Sequence, residues 1–328
     1  MSSIVSRLFT ANLSCLPPDV QFPLVNIAFS SSTLFESGWD RQGGLKGWRA
    51  YQLAHTEDPM APGPAFRFIT GMLSLNQYTR DADHPLVQTH VVSQQDPHVA
   101  VRFLNSLEHH GFTGHSNSGL AHCSYLKGGN PLKVLRPLQP HLYLSSNKKS
   151  VQVAIQAGFA AAHLIPLEPE ETQQRAEEKQ LVIATDGDAV LFGDEAEKVF
   201  REGGMQAFDD FERKNAGIPL SQGPLFGFLK AVNVLRSVFP DKVENSPLQL
   251  ILTTARGASA QTRVFLTLRE WKFRFDSIQF LSGKEKGPFL QHSGADIFFD
   301  DSGRNISSSR KHGVPAGHVP WGIANAGD

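Results

Sequence analysis

Two phrases of this 328-residue chain, VNIAFSSSTLFES (Val25 to Ser37) and VIATDGDAVLFGDE (Val182 to Glu195), share one pattern: an apolar run breaks into three small or acidic residues and closes on Leu-Phe. The likeness continues downstream. PMAPGPAFRF (Pro59 to Phe68) answers PLSQGPLFGF (Pro219 to Phe228), and in each the prolines and apolar spacing suit a helix start. THVVSQQ ahead of VRFLNSLEHHGF answers LILTTAR ahead of RVFLTLREWKF, HLYLSSN answers DIFFDDS, and AHLIP answers GHVP. The intervals agree as well. Ser30 to Ser145 is 115 residues and Asp186 to Asp300 is 114, while Ser145 to His163 and Asp300 to His318 are both 18. Unrelated loops rarely keep such spacing, so the chain reads as two copies of one unit made by an internal duplication. Within each copy, short runs of Val, Ile, Leu and Phe alternate with helical patterns, which predicts an α/β unit with a mainly parallel sheet. Ligands of such sheets sit at the carboxyl ends of the strands.

The expected division is a mobile leader over 1–20, a first unit over 21–166, a linker over 167–180 and a second unit over 181–328. The linker, LEPEETQQRAEEKQ, is charged and Gln-rich and has no apolar face. A small cap is expected within the second unit at about 194–247, where EAEKVFREGGMQAFDDFERKN reads equally well as a cap or as a crossover helix. The matching insertion in the first unit begins at Trp39. A 40% hydrophobic content supports real cores, and a net charge of -1 provides no basic field for nucleic acid. No apolar run reaches the roughly 20 residues of a membrane span, and the first residues lack the apolar core of a secretory signal. Two cysteines, Cys15 and Cys123, rule out a four-Cys zinc cluster and suit a reducing, cytoplasmic setting.

The second unit carries chemistry at four strand tips: Asp186 and Asp188, Thr254, Lys286 in SGKEKGP, and the pair Asp300-Asp301. A carboxylate at a strand end suits a nucleophile, and a second one two residues on suits an acid and base. The remaining acidic pair suits a hard cation, which beside a phosphate substrate means Mg²⁺. Lys286 offsets carboxylate repulsion and balances charge on a transferring phosphoryl group. Thr254 offers a neutral hydrogen bond to a phosphoryl oxygen.

This order, Asp-x-Asp, Thr, Lys, Asp-Asp, resembles the haloacid dehalogenase superfamily of aspartyl-phosphate phosphatases. VNIAFSSSTLF, PMAPGPAF, ATDGDAVLFGDE, PLSQGPLFGFL, TAR, KGP and FFDD together resemble the cytosolic 5'-nucleotidase type I family from about Leu24 to Ile323. The resemblance implies two Rossmann-like, haloacid dehalogenase-like units, the second catalytic, hydrolysing nucleoside 5'-monophosphates with AMP foremost. It implies Asp186 as the nucleophile and Asp188 as the acid, then the base. It places Mg²⁺ on the Asp186 carboxylate, the Asp188 carbonyl and one of Asp300 and Asp301, with Asp301 slightly favoured. Arg256 is expected to help hold phosphate or substrate. A phosphatase or phosphotransferase of the same mechanism on another phosphomonoester, and a nucleotide-binding regulator without turnover, stay open. A homo-oligomer is expected; a membrane or nucleic-acid partner is not.

Ser30, Ser32, Ser145 and Ser146 in the first copy cannot form an aspartyl-phosphate or neutralise Mg²⁺, so that copy is expected to be chemically silent. Its polar tip, with Ser93-Gln94-Gln95 and with Lys127 and Asn130 in KGGNP, is expected to bind a nucleoside diphosphate or triphosphate effector, or to close over the active site and read the base. His109, His110, His115 and His122 have no zinc spacing and read as solvated. His163 and His318 recur in the repeat and are expected to make structural hydrogen bonds.

Overall fold

The computed structural model describes residues 10–38, 44–79, 84–113, 119–165 and 180–326. Residues 1–9 of the expected leader, 39–43 of the first-unit insertion, His115 and the expected linker up to residue 179 lie outside the described residues. The first half runs β1 (Val25–Phe29), α1 (Ser31–Leu34), α2 (Gly44–Ala54), α3 (Phe66–Ser74), β2 (Val87–Ser93), α4 (Val101–His109), β3 (Leu120–Tyr125), α5 (Leu132–Leu138), β4 (Leu142–Ser145), α6 (Lys148–Gln156) and β5 (Ala161–Leu164). The second runs β6 (Leu181–Thr185), α7 (Glu195–Lys214), α8 (Phe226–Ser237), β7 (Leu248–Thr254), α9 (Gln261–Glu270), β8 (Ser277–Phe280), α10 (Gly287–His292), β9 (Ile297–Asp300), α11 (Gly303–Lys311) and β10 (Ala316–His318). Strands such as β6 (LVIAT) and β9 (IFFD) are buried at every residue. Helices cover both faces of a parallel sheet, so such strands read as unbroken apolar runs rather than alternating ones.

All ten strands join in one sheet of order β3-β2-β1-β4-β5-β10-β9-β6-β7-β8. Each half therefore has the same internal order, its third, second, first, fourth and fifth strands side by side and parallel. Within the sheet the halves join through one short antiparallel pairing, with Gly317 opposite Leu164 and His318 opposite His163. That join reverses the strand direction, so the carboxyl ends of the two halves face opposite ways. The first-half tip accordingly points away from the second-half tip and does not close over it, contrary to one of the two roles expected for it.

Local bonds repeat as the strands do. The Met60 amide donates to Ser106 Oγ at 2.9 Å and the Leu220 amide to Thr267 Oγ1 at 3.0 Å. Gly63 donates to the Leu34 carbonyl and Gly223 to the Leu191 carbonyl, both at 2.8 Å. Packing crosses the midline. Phe68 on α3 and Phe228 on α8 both set ring edges against Phe299 of β9, at 6.3 and 5.9 Å between centroids. Each such buried aromatic is worth about 1.5–3 kcal/mol over an exposed one. Arg67 pairs with buried Asp296, whose second carboxylate oxygen takes the Val182 amide at 2.8 Å. Among the described residues no helix is long and apolar enough to cross a membrane.

Candidate active site

Asp186 stands just past β6, its amide donating to the Phe299 carbonyl of the neighbouring strand at 2.8 Å. Its carboxylate accepts from the Gly187 amide at 2.6 Å and lies 2.7 Å from Lys286 Nζ. Lys286 is the residue before α10. A Cβ at Gly287 would fall 2.4 Å from His312 Nδ1 and 2.6 Å from Ser308 Oγ, so only glycine lets α10 lie this close to α11. The lysine is 1% exposed and also reaches Asp300 Oδ2 at 2.7 Å. Burial alone would lower its pKa, but contact with Asp186 and Asp300 outweighs burial and raises it, so the ammonium form persists.

Asp300 is fully engaged. Besides Lys286 it accepts from the Ser302 amide at 2.8 Å and from Asn305 Nδ2 at 3.0 and 3.1 Å. Asp301 differs. Its carbonyl accepts from His318 Nε2 at 2.9 Å and Asn325 Nδ2 at 3.0 Å, while its carboxylate, on a residue 6% exposed, meets no donor among the described residues. Carboxylate oxygens of Asp186, Asp300 and Asp301 lie within 4.8 Å of one another. Three buried carboxylates against one lysine leave negative charge uncompensated. Burial first, then Asp300 and Asp188 against the opposing pull of Lys286, pushes Asp186 up to about 8. Burial, Asp300, Asp186 and Glu197 push Asp301 up to about 9. An all-oxygen donor set with surplus negative charge and one carboxylate without a donor fits a hard divalent cation.

Asp188 lies two residues on. The chain between Asp186 and Leu191 holds one residue more than its first-half counterpart, and Ala189 takes the left-handed conformation, φ 56°, to accommodate it. Arg256 grips both oxygens of Asp188, at 2.7 and 2.8 Å, with its guanidinium between the rings of Phe192 and Phe208. Thr254, fully buried at the end of β7, accepts the Arg256 amide at 3.2 Å. A Cβ at Gly187 would come 3.4 Å from Thr254 Oγ1 and 3.1 Å from Phe192, which keeps the floor of the site free of side chains.

The structure thus brings together Asp186, Asp188, Thr254, Arg256, Lys286, Asp300 and Asp301. It does not bring Lys127 or Asn130 to them. Both belong to the first-half tip, where the Asn130 side chain accepts the Leu132 amide at 2.9 Å just before α5. Lys127 is exposed in a left-handed turn, φ 48°, matching that of Ser282, φ 50°, rather than Lys286. In that tip the serines satisfy one another: Ser30 with Ser32 at 3.3 Å, Ser32 with Ser146 at 2.5 Å, Ser31 with Ser93 at 2.7 Å. His163 Nε2 lies 3.1 Å from the Ser146 carbonyl, as His318 Nε2 lies near that of Asp301. Of the expected cap, α7 is the part that reaches the site, through Ser259 Oγ to Asp209 Oδ1 at 2.5 Å and through Glu212 to Arg256 at 2.6 Å. Its continuation, α8, packs Phe228, Leu229, Val232 and Leu235 into the core as a crossover helix. Glu212, Arg263 and Asn305 are contacts the sequence reading missed. Only Arg263 had a signal, its match with Arg102 in the repeat.

A family model described as 5'-nucleotidase matches residues 19–326. Human cytosolic 5'-nucleotidase 1B is 34% identical over 323 residues, covering 94% of this chain and 51% of that protein. The chain spans about half the length of this curated relative. Among solved structures, the Pnkp1/Rnl/Hen1 complex aligns over 93% of this chain and 99% of the matched chain, at 13% identity and a TM-score of 0.31, too distant to carry an argument.

Proposed function

The chain belongs to the 5'-nucleotidase family, in its cytosolic type I branch, and from that premise we propose that it hydrolyses nucleoside 5'-monophosphates, AMP foremost, to nucleoside and phosphate. The observation that carries this reading is the meeting of Asp186, Lys286, Asp300 and Asp301 at adjacent strand ends, with Asp188 and Thr254 beside them. Asp186 attacks phosphorus, the bond to the 5'-oxygen breaks, and an aspartyl-phosphate forms. Asp188 gives a proton to the departing 5'-oxygen, then takes one from the water that cleaves the intermediate. Lys286 and the Thr254 hydroxyl hold phosphoryl oxygens, and the ammonium balances their charge. Asp186, the Asp188 carbonyl and Asp301 would hold Mg²⁺, which would supply the remaining positive charge, while Asp300 anchors Lys286.

The repeated strand order and hydrogen bonds support an origin by duplication, with 21–166 as a silent unit whose serine tip takes a nucleoside diphosphate or triphosphate effector, and 181–328 as the catalytic one. A cytoplasmic homo-oligomer is part of the same reading. Phosphate release from AMP, IMP, CMP, dAMP and an aryl phosphate, in Mg²⁺ and in EDTA, tests it with Asp186→Asn beside the wild type. Metal-dependent release, strongest on a nucleotide and absent in the variant, is expected. Release that survives the substitution or the chelator would falsify the assignment.

A further inference from the structure

A run of charge leads away from the reacting centre. Arg256 spends Nε and Nη2 on Asp188, and its Nη1 lies 2.6 Å from Glu212 Oε2. The other oxygen of Glu212 takes Arg263 Nη1 at 2.9 Å. Glu212 sits on α7 and is wholly buried, unlike most charged side chains of that helix. A carboxylate is expensive to bury unless its partners return the lost hydration, and here two guanidinium groups do so.

The first half provides an internal comparison. Arg102 stands where Arg263 does, its Nε donating to the Asp58 carbonyl at 2.9 Å as Arg263 Nε donates to the Ile218 carbonyl at 2.9 Å. Gln52 takes Arg102 Nη1 at 3.3 Å, in the role Glu212 has toward Arg263. Gln95 follows β2 by the interval at which Arg256 follows β7, and Ser32 follows Ser30 as Asp188 follows Asp186. The arginine that ties the helix to the loop carbonyl is thus present in both halves. Asp188, Arg256 and Glu212 are replaced together, by Ser32, Gln95 and Gln52. The fold manages without those charges; the carboxylate at 188 is what they accompany.

We infer that Glu212 is a positioning residue for the acid and base of the reaction. A guanidinium is planar and rigid, so fixing Nη1 fixes the two nitrogens that grip Asp188, and α7 thereby sets where the proton is delivered. The inference rests on the reading of Asp188 as acid and base.

The test compares Glu212→Gln with wild type on adenosine 5'-monophosphate and on its analogue with sulfur in place of the bridging 5'-oxygen. Sulfur departs as a thiolate and needs no proton, so the first bond cleavage, which kcat/KM reports, does not call on Asp188. A misplaced acid is expected to lower kcat/KM about tenfold or more on the oxygen ester and to leave the sulfur ester within about threefold. Equal loss on both esters, or loss on neither, overturns the inference. Glutamine already occupies the matching place at Gln52, which favours folding of the variant. Glu212→Asp, which keeps the charge but shortens its reach to Arg256, must show the same split and decides the matter if Glu212→Gln does not fold. Asp186→Asn runs beside them. If it still cleaves either ester, the assignment of the site has failed rather than the role of Glu212.

Discussion

At the scale of single residues, the two adjacent aspartates at the end of β9 divide their labour by their partners. Asp300 is held by Lys286, Ser302 and Asn305, whereas the Asp301 carboxylate has no donor among the described residues. Burial and then the neighbouring carboxylates push Asp186 up to about 8 and Asp301 up to about 9. In the unfolded chain both titrate near 4. Over that window the folded protein keeps protons that the unfolded chain has released, so in EDTA stability falls as pH rises from about 4 towards 8. Magnesium bound by these carboxylates, as proposed, would displace those protons, and the gain in Tm on adding it is expected to grow between about pH 6 and pH 8.5. Asp301→Asn should remove most of that gain, and Asp300→Asn should lower Tm even in EDTA. Thermal melts at the two pH values decide, and a gain independent of pH counts against these carboxylates as ligands. The strand-tip carboxylates were legible because each follows an apolar run directly. The split between Asp300 and Asp301 was not, since only partners distant in sequence distinguish them. Glu212 was invisible for a related reason: a charged residue among charged residues on a helix reads as solvated.

At the scale of elements, helical period does not separate a helix that covers a site from one that crosses back over a sheet. α7 and α8 both read as amphipathic, yet α7 reaches Arg256 and α8 fills the core. α7 is kinked along its length. Gly204 there has φ 71° and ψ -167°, a conformation open essentially to glycine alone. Its missing Cβ would meet nothing within 4 Å, so the demand is conformational and not steric. Gly204→Ala is expected to cost about 1–3 kcal/mol in urea unfolding. Gly217→Ala, equally open and without a positive φ, should cost far less. Equal effects of the two substitutions would show that the bend is not imposed by the backbone at 204.

At the scale of the whole molecule, the matched phrases of the sequence pointed to two similar α/β halves but to neither the strand order nor the direction of the join. Two residue pairs between β5 and β10 decide that direction, and no periodic pattern records it. Nor did the repeat reveal how closely the halves share a core, with Phe68 and Phe228 on one ring and Arg67 on Asp296. The full chain is therefore expected to unfold in urea as one transition, with far-ultraviolet circular dichroism and tryptophan fluorescence coinciding. Residues 181–328 alone should not fold stably, and a soluble, cooperatively melting fragment would contradict a shared core. The two halves also differ in a way that has an order built into it. Where the second half has Glu212, Arg256 and Asp188, the first has Gln52, Gln95 and Ser32. A glutamate at 52 would find Arg102 already waiting, an arginine at 95 would then find that glutamate, and an aspartate at 32 would then find that arginine. Begun from either of the other two positions, the series places a charge in the half-buried tip with no partner from this set. Such a centre can be assembled by single steps from the scaffold outwards, and the carboxylate proposed as acid and base comes last.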